Sequence, residues 1–230
     1  MAYTDRSEDL NKYPFFLRLL SLGKQYFVKT PWWLKQFYSS YTWDIKTEEK
    51  SIYLSFDDGP HPIATPFVLD VLKKYNAKAS FFCIGNQVIQ FPEIYQRIIH
   101  EGHTVGNHSQ THPNGWRTRD ENYLDDIRLA HANIGSALFR PPYGRIKRSQ
   151  AKKLKEIIGE DSQIIMWSVL SGDFDSRISK QKCVENVTRH VSAGSIVVFH
   201  DSEKAYPHLR YALPLVLEYF CQKGYSFKKI

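Results

Sequence analysis

Short apolar runs alternate with amphipathic, helix-period stretches from residue 51 to the C terminus, and several of the runs end in Asp or His. Residues 51–56 read as a strand and lead into Phe56-Asp57-Asp58-Gly59-Pro60-His61. Residues 163–167 read as a strand followed by Ser168-Val169-Leu170-Ser171-Gly172-Asp173. Residues 195–199 read as a strand ending in His200-Asp201. Further strands are expected over 78–83, 103–106 and 225–228. Helices are expected over 66–75, 93–100, 120–133, 149–158, 179–191 and 209–223, with Pro92 and Gly102 bounding the second. Alternating β and α segments predict a parallel sheet. Parallel α/β folds bind their ligands at the carboxyl ends of the strands, so the polar residues that close these runs are site candidates.

Asp57 and Asp58 are adjacent like charges, which raise each other's pKa unless a cation or a division of labour separates them. The same residues also suit an ordinary strand-ending turn, since Asp-Gly and Gly-Pro are turn formers. His108-Ser109-Gln110-Thr111-His112 places two histidines four apart, and Pro113 biases His112 toward a turn or a frayed helix end. Two loop histidines are the plain reading. With Asp58 they make a two-His, one-carboxylate set suited to zinc or a similar divalent ion, with a fourth position open as catalytic sites require. Arg140-Pro141-Pro142-Tyr143-Gly144 sets a cation beside a stiff double-proline turn.

In this order and spacing the segments resemble the polysaccharide deacetylases, carbohydrate esterase family four. Leu54-Ser55-Phe56-Asp57-Asp58-Gly59-Pro60 is similar to the family's first motif, Thr-Phe-Asp-Asp-Gly-Pro. His108–His112 matches its His-Ser/Thr-x-x-His, Arg140–Gly144 its third motif, and Val198-Phe199-His200 its Leu-x-His. The fourth motif, Asp-x-x-Asp-Trp, departs: Asp173 is kept, Leu170 replaces the first Asp and Phe174 the Trp. The resemblance implies a distorted, incomplete (β/α) barrel of about seven parallel strands over residues 46–230. It also implies removal of N-acetyl groups from N-acetylhexosamine units of a glycan such as chitin or peptidoglycan. The cofactor implied is a divalent metal, zinc first, with cobalt, nickel or manganese as alternatives.

The resemblance also distributes roles. Asp58, His108 and His112 hold the metal, and Asp57 takes the proton of the attacking water. Arg140 pairs with Asp57 and orients it. The backbone N–H of Tyr143, on the rigid Pro141-Pro142 turn, points at the oxyanion. His200 protonates the departing amine and Asp173 holds its imidazole. Phe174, Val198, Pro141 and Pro142 bound the substrate, with Phe174 and Val198 lining an apolar acyl pocket of altered shape. Two other activities compete: an O-acetyl esterase acting on a glycan such as xylan, and a carbohydrate-binding relative without catalysis.

At 230 residues, 42% hydrophobic and 24% charged, the chain suits one full-sized globular domain. The net charge of +7 is spread along the chain and accompanies no nucleic-acid motif, so a glycan rather than a nucleic acid is the expected partner. Cys83, Cys183 and Cys221 are isolated, which excludes a cysteine zinc site, and Cys83 reads as a small core residue. Residues 1–45 stand apart as an aromatic, basic segment. No acidic residue falls between Asp9 and Asp44 while five basic ones do, and Trp32, Trp33 and Phe37 lie within it. Packing on the barrel is the expectation for this segment, and weak association with a membrane surface is the alternative. With no basic leader and no apolar run of spanning length, the expected compartment is the cytoplasm.

Overall fold

The computed structural model describes residues 26–230. Ser51–Asp57 (β1) is buried along its whole length because it pairs on both edges and is covered on both faces. It runs parallel to Ser80–Cys83 (β2) on one edge and to Ile196–His200 (β7) on the other. The sheet continues from β2 through Thr104–Asn107 (β3), Leu138–Phe139 (β4) and Gln163–Ile164 (β5), and from β7 to Val169–Leu170 (β6). Ser226–Lys228 (β8) pairs with the start of β1, on the edge that β2 occupies higher up. Every ladder is parallel, and the seven strands of the main path curl into an incomplete barrel.

The period-2 alternation of β1 divides its side chains. Ile52, Leu54 and Phe56 join the outer core. There they pack with Val68, Leu69 and Leu72 of Ala64–Lys74 (α1) and with Leu213, Val216 and Leu217 of Tyr206–Gln222 (α2). Tyr53 clusters on the opposite face with Phe82, Ile165 and Ile196, and Ser55 and Asp57 share that inward face. Helix Asp120–Ile134 (α3) carries Asp120 and Glu121 in its first turn and closes on Gly135 in the left-handed region, φ 62°.

The path has two ends, β5 and β6, and residues 28–30 and 42 lie along the seam between them. Thr42 N donates to Ile164 O at 2.9 Å and Met166 N to Thr42 O at 2.7 Å. Thr30 N donates to Ser168 O at 2.9 Å and Leu170 N to Val28 O at 2.8 Å. Trp43 is buried beside Tyr123, Phe139 and Leu154, whereas Trp32 is 76% exposed. The rest of the aromatic segment, residues 1–25, lies outside the described residues. Among the described residues no helix is long and apolar enough to cross a membrane.

The local readings need three corrections. β4 and β6 were not expected from sequence, because two-residue strands carry no periodicity. The strand expected over 163–167 stops at Ile164, since the carbonyls of Ile165 and Met166 are taken by Arg140 rather than by a ladder. The helix expected over 149–158 is two short ones, Arg148–Lys152 and Lys155–Ile158, broken by i to i−3 bonds at Lys153 and Leu154. The cysteines are all free, with Cys83 in the core as expected.

Phe56 has no solvent contact and stacks on Phe81 and Phe199, with ring centroids 5.1 and 6.1 Å away. Phe56→Ala is expected to cost about 3–5 kcal/mol, whereas Leu129→Ala on the exposed face of α3 should cost under about 0.5 kcal/mol. Denaturant midpoints of the two variants check this; equal midpoints would contradict the core assignment.

Candidate active site

The site lies at the carboxyl ends of the parallel strands. Asp57 ends β1 and Asp58 follows it; His108 follows β3, Arg140 follows β4, Asp173 follows β6 and His200 ends β7. The β1–β7 register sets Asp57 directly opposite His200. Parallel pairing therefore gathers residues spread over more than 140 positions onto one rim.

Asp58, His108 and His112 form a group whose candidate ligand atoms all lie within 4.8 Å of one another. Asp58 Oδ1 is 3.6 Å from His108 Nε2 and 3.3 Å from His112 Nε2. Ligands held about 2.0–2.2 Å from a tetrahedral ion are about 3.3–3.6 Å apart, so this spacing fits a zinc-sized cation. Asp58 Oδ1 is buried without a hydrogen-bond partner, which an ion would supply. His108 Nδ1 lies 2.8 Å from Arg140 O, so it carries the proton and leaves the Nε2 lone pair toward Asp58. Burial, then the neighbouring His108, pushes His112 down to about 4, which leaves it neutral as a ligand must be. For Asp58, burial favours the neutral acid, but the nearby imidazoles, the charged His200 first, outweigh it, and the carboxyl lies below its ordinary value. The residues present thus fit a divalent cation in donor type, spacing and proton state.

His112 lies in an irregular loop, outside any helix, with φ 62°. Five non-glycine residues among those described have positive φ, and Asp58, Ser109, His112 and Tyr143 are four of them. Such backbone costs about 1–3 kcal/mol per residue and persists only where its surroundings fix it. Asp126 on α3 does so for the histidine loop, accepting from Gln110 N at 2.7 Å, Thr111 N at 3.1 Å and Thr111 Oγ1 at 2.6 Å. Asp201 does so for the Asp58 loop, accepting from Gly59 N at 3.1 Å and Thr65 Oγ1 at 2.5 Å. A Cβ on Gly59 would stand 2.1 Å from Asp201 Oδ2, so only glycine allows this approach. Burial lifts Asp201 to about 7. Neither Asp126 nor Asp201 was singled out from the sequence. Asp201 had a signal in its place beside His200 at a strand end; Asp126, mid-helix, had none.

Arg140 is fully buried. Its Nη1 donates to Asp57 Oδ1 at 2.6 Å and to Ser55 Oγ at 2.8 Å, Nε to Ile165 O at 3.1 Å and Nη2 to Met166 O at 3.0 Å. The guanidinium carbon lies 3.9 Å from the centroid of Phe82. Pro141 and Pro142 are buried and lead into a single 3₁₀ turn, Pro142–Gly144. Tyr143 is exposed at its tip, φ 59°, with its ring 4.5 Å from that of His112. Its N–H has no acceptor among the described residues.

Asp173 grips His200 twice: Oδ2 accepts from His200 N at 2.7 Å and Oδ1 is 2.8 Å from Nδ1. Burial alone would lower His200, but Asp173 first, then Asp58 and Asp57, raise it to about 9. Phe174 lies against His200 with ring centroids 5.0 Å apart. Val198 is buried on β7 two residues before His200, in register with Ser55 and Leu170. Eleven of the twelve predicted site residues stand at or beside one strand-end rim, and Val198 lies two residues before it within β7.

A polysaccharide deacetylase family model matches residues 44–158. The chain is 33% identical over 192 residues to a peptidoglycan-N-acetylglucosamine deacetylase of Bacillus cereus, covering 81% of this chain and 89% of that protein. It is 36% identical over 163 residues to a chitooligosaccharide deacetylase of Bradyrhizobium, covering 66% of this chain and 71% of that one. The solved structure of the Bc1960 peptidoglycan N-acetylglucosamine deacetylase superposes with a TM-score of 0.75 at 30% identity, covering 87% of this chain and 95% of the other. Some relatives are longer: the chain spans 38% of the Listeria monocytogenes deacetylase PgdA. The chain belongs to the polysaccharide deacetylase family, and its enzyme class is that of the glycan N-deacetylases.

The raised His200 contributes stability that is fully present below about pH 6.5 and is lost as pH rises through about 9. In Asp173→Asn the largest opposing charge is gone, so the His200 titration followed by imidazole NMR on metal-free protein should fall to lower pH. An unmoved midpoint would show that Asp173 does not govern this histidine.

Proposed function

We propose that this chain hydrolyses the N-acetyl group of N-acetylhexosamine units in a glycan of the peptidoglycan or chitooligosaccharide type. A divalent ion, most simply zinc given two imidazoles and one carboxylate, is held by Asp58, His108 and His112. The observation that carries the reading is the register pair Asp57 and His200, a base held by a cation and a histidine held by a carboxylate, flanking that triad.

When bound, the ion supplies Lewis acidity toward the amide carbonyl and the attacking water. Asp57, one oxygen fixed by Arg140, accepts the water's proton as its oxygen attacks the carbonyl carbon. The free N–H of Tyr143 donates to the oxygen that becomes negative. His200 carries a proton on Nε2 while Nδ1 is occupied by Asp173, and it delivers the Nε2 proton to the amide nitrogen. The C–N bond then breaks, leaving acetate and the free amine. An amine is a poor leaving group unless protonated, and a histidine still charged at neutral pH meets that need. Phe174 and Val198 bound the acetyl methyl, with Pro141 and Pro142 stiffening the facing turn. Residues 46–230 form the catalytic unit in this reading, and the described part of the aromatic, basic segment 1–45, residues 26–45, lies on the barrel. The seam bonds of residues 28–30 and 42 support that division.

The deciding experiment is acetate release from chitooligosaccharides, peptidoglycan fragments and acetylated xylan by metal-loaded protein. Release from the first two above the third is expected, and release from xylan alone would replace this reading with an O-acetyl esterase. Asp57→Asn should keep its metal by elemental analysis while losing about 10²–10⁴-fold in turnover. His108→Ala should lose the metal itself; full retention would refute the ligand set.

A further inference from the structure

The seam segment reaches the site as well as the sheet. Residues 28–30 run antiparallel to β6, bridged at Lys29 and Val169. This places Tyr26 over the loop that carries Asp173 and Phe174. The Tyr26 ring meets Phe174 edge-on, centroids 5.0 Å apart, and Phe174 meets His200 in the same way at 5.0 Å. Tyr26 Oη donates to Asp175 Oδ2 at 3.0 Å, and Asp175 is itself fixed by Arg177 Nε at 2.7 Å and Nη2 at 2.8 Å. Gly172, φ 81°, makes room for the contact: a Cβ there would stand 3.0 Å from the Tyr26 hydroxyl. Phe174 is only half-buried, so without Tyr26 its outer side has open space to turn into.

We propose that Tyr26 is a positioning residue that sets the size of the acyl pocket, by holding the Phe174 ring against His200. The segment that carries it precedes residue 44, where the match to the family model begins. Acyl selectivity in this chain is therefore set partly by its own N-terminal strap. The inference rests on the deacetylase reading for its consequence but not for its geometry.

The test compares wild type with Tyr26→Phe, Tyr26→Leu and Tyr26→Ala. One readout needs no turnover: the ring-current shift of the His200 Cε1–H in NMR spectra. It should be kept in Tyr26→Phe, which retains the ring, and moved in Tyr26→Ala and Tyr26→Leu. The second is the ratio of kcat/KM on N-propionyl and N-acetyl chitooligosaccharide. One methylene is discriminated by about 10–200-fold in a fitted apolar pocket, so loosening the wall should raise the ratio about fivefold or more in Tyr26→Ala. Tyr26→Phe should stay within about twofold of wild type. An unmoved His200 signal in both Tyr26→Ala and Tyr26→Leu overturns the proposal, as does an unchanged ratio in an active Tyr26→Ala. If wild type releases no acyl group from either substrate, the deacetylase reading fails, and the NMR comparison alone decides whether Tyr26 positions Phe174.

Discussion

A guanidinium without solvent contact ties the centre of this barrel together. A buried charge is tolerated only when paired and hydrogen-bonded, and Arg140 meets that condition through four partners on two separate stretches of chain. Ser55 and Asp57 lie on β1, while Ile165 and Met166 lie where β5 gives way to the seam. Ser55 is satisfied in turn, donating to Val197 O on β7 at 2.9 Å. One side chain therefore ties β1 to the stretch that follows β5, whose carbonyls it takes. The backbone O of the same residue fixes the His108 tautomer. The proposed base and the candidate metal group thus depend on one buried residue.

Two histidines on the same rim are driven in opposite directions by their neighbours. His112, partly buried and beside another imidazole, falls to about 4, whereas His200, gripped by Asp173, rises to about 9. A ligand must offer a lone pair and an acid must offer a proton, so the two environments suit the two proposed roles. The balance differs at the two rings: Asp173 hydrogen-bonds both the backbone and the ring of His200, whereas at His112 burial and the neighbouring His108 outweigh the pull of Asp58.

Strain is concentrated where these groups must be aimed. Four of the five positive-φ residues other than glycine are Asp58, Ser109, His112 and Tyr143. The supports for the first three come from Asp201 and Asp126, buried or half-buried carboxylates that accept from loop N–H and hydroxyl groups. Rigid loops built in this way hold their side chains in place before a substrate arrives, which is the property that electrostatic catalysis requires.

The sequence alone determined the alternating architecture and the identity of the rim residues. Period-2 and period-3.6 patterns are local, and Asp57-Asp58, His108–His112 and Arg140–Gly144 are contiguous enough to be read one segment at a time. It could not reveal β4 and β6, because two residues hold no period and their strand character exists only through pairing. It also gave no sign of Asp126, whose hydrogen bonds join a helix to a loop 15 and 16 residues away. The place of Tyr26 was equally hidden, since nothing near it in sequence points to Phe174. Only the tertiary structure decided those contacts, because closing the barrel seam brings residue 26 within a ring's width of residue 174, and that closure depends on backbone bonds between distant segments.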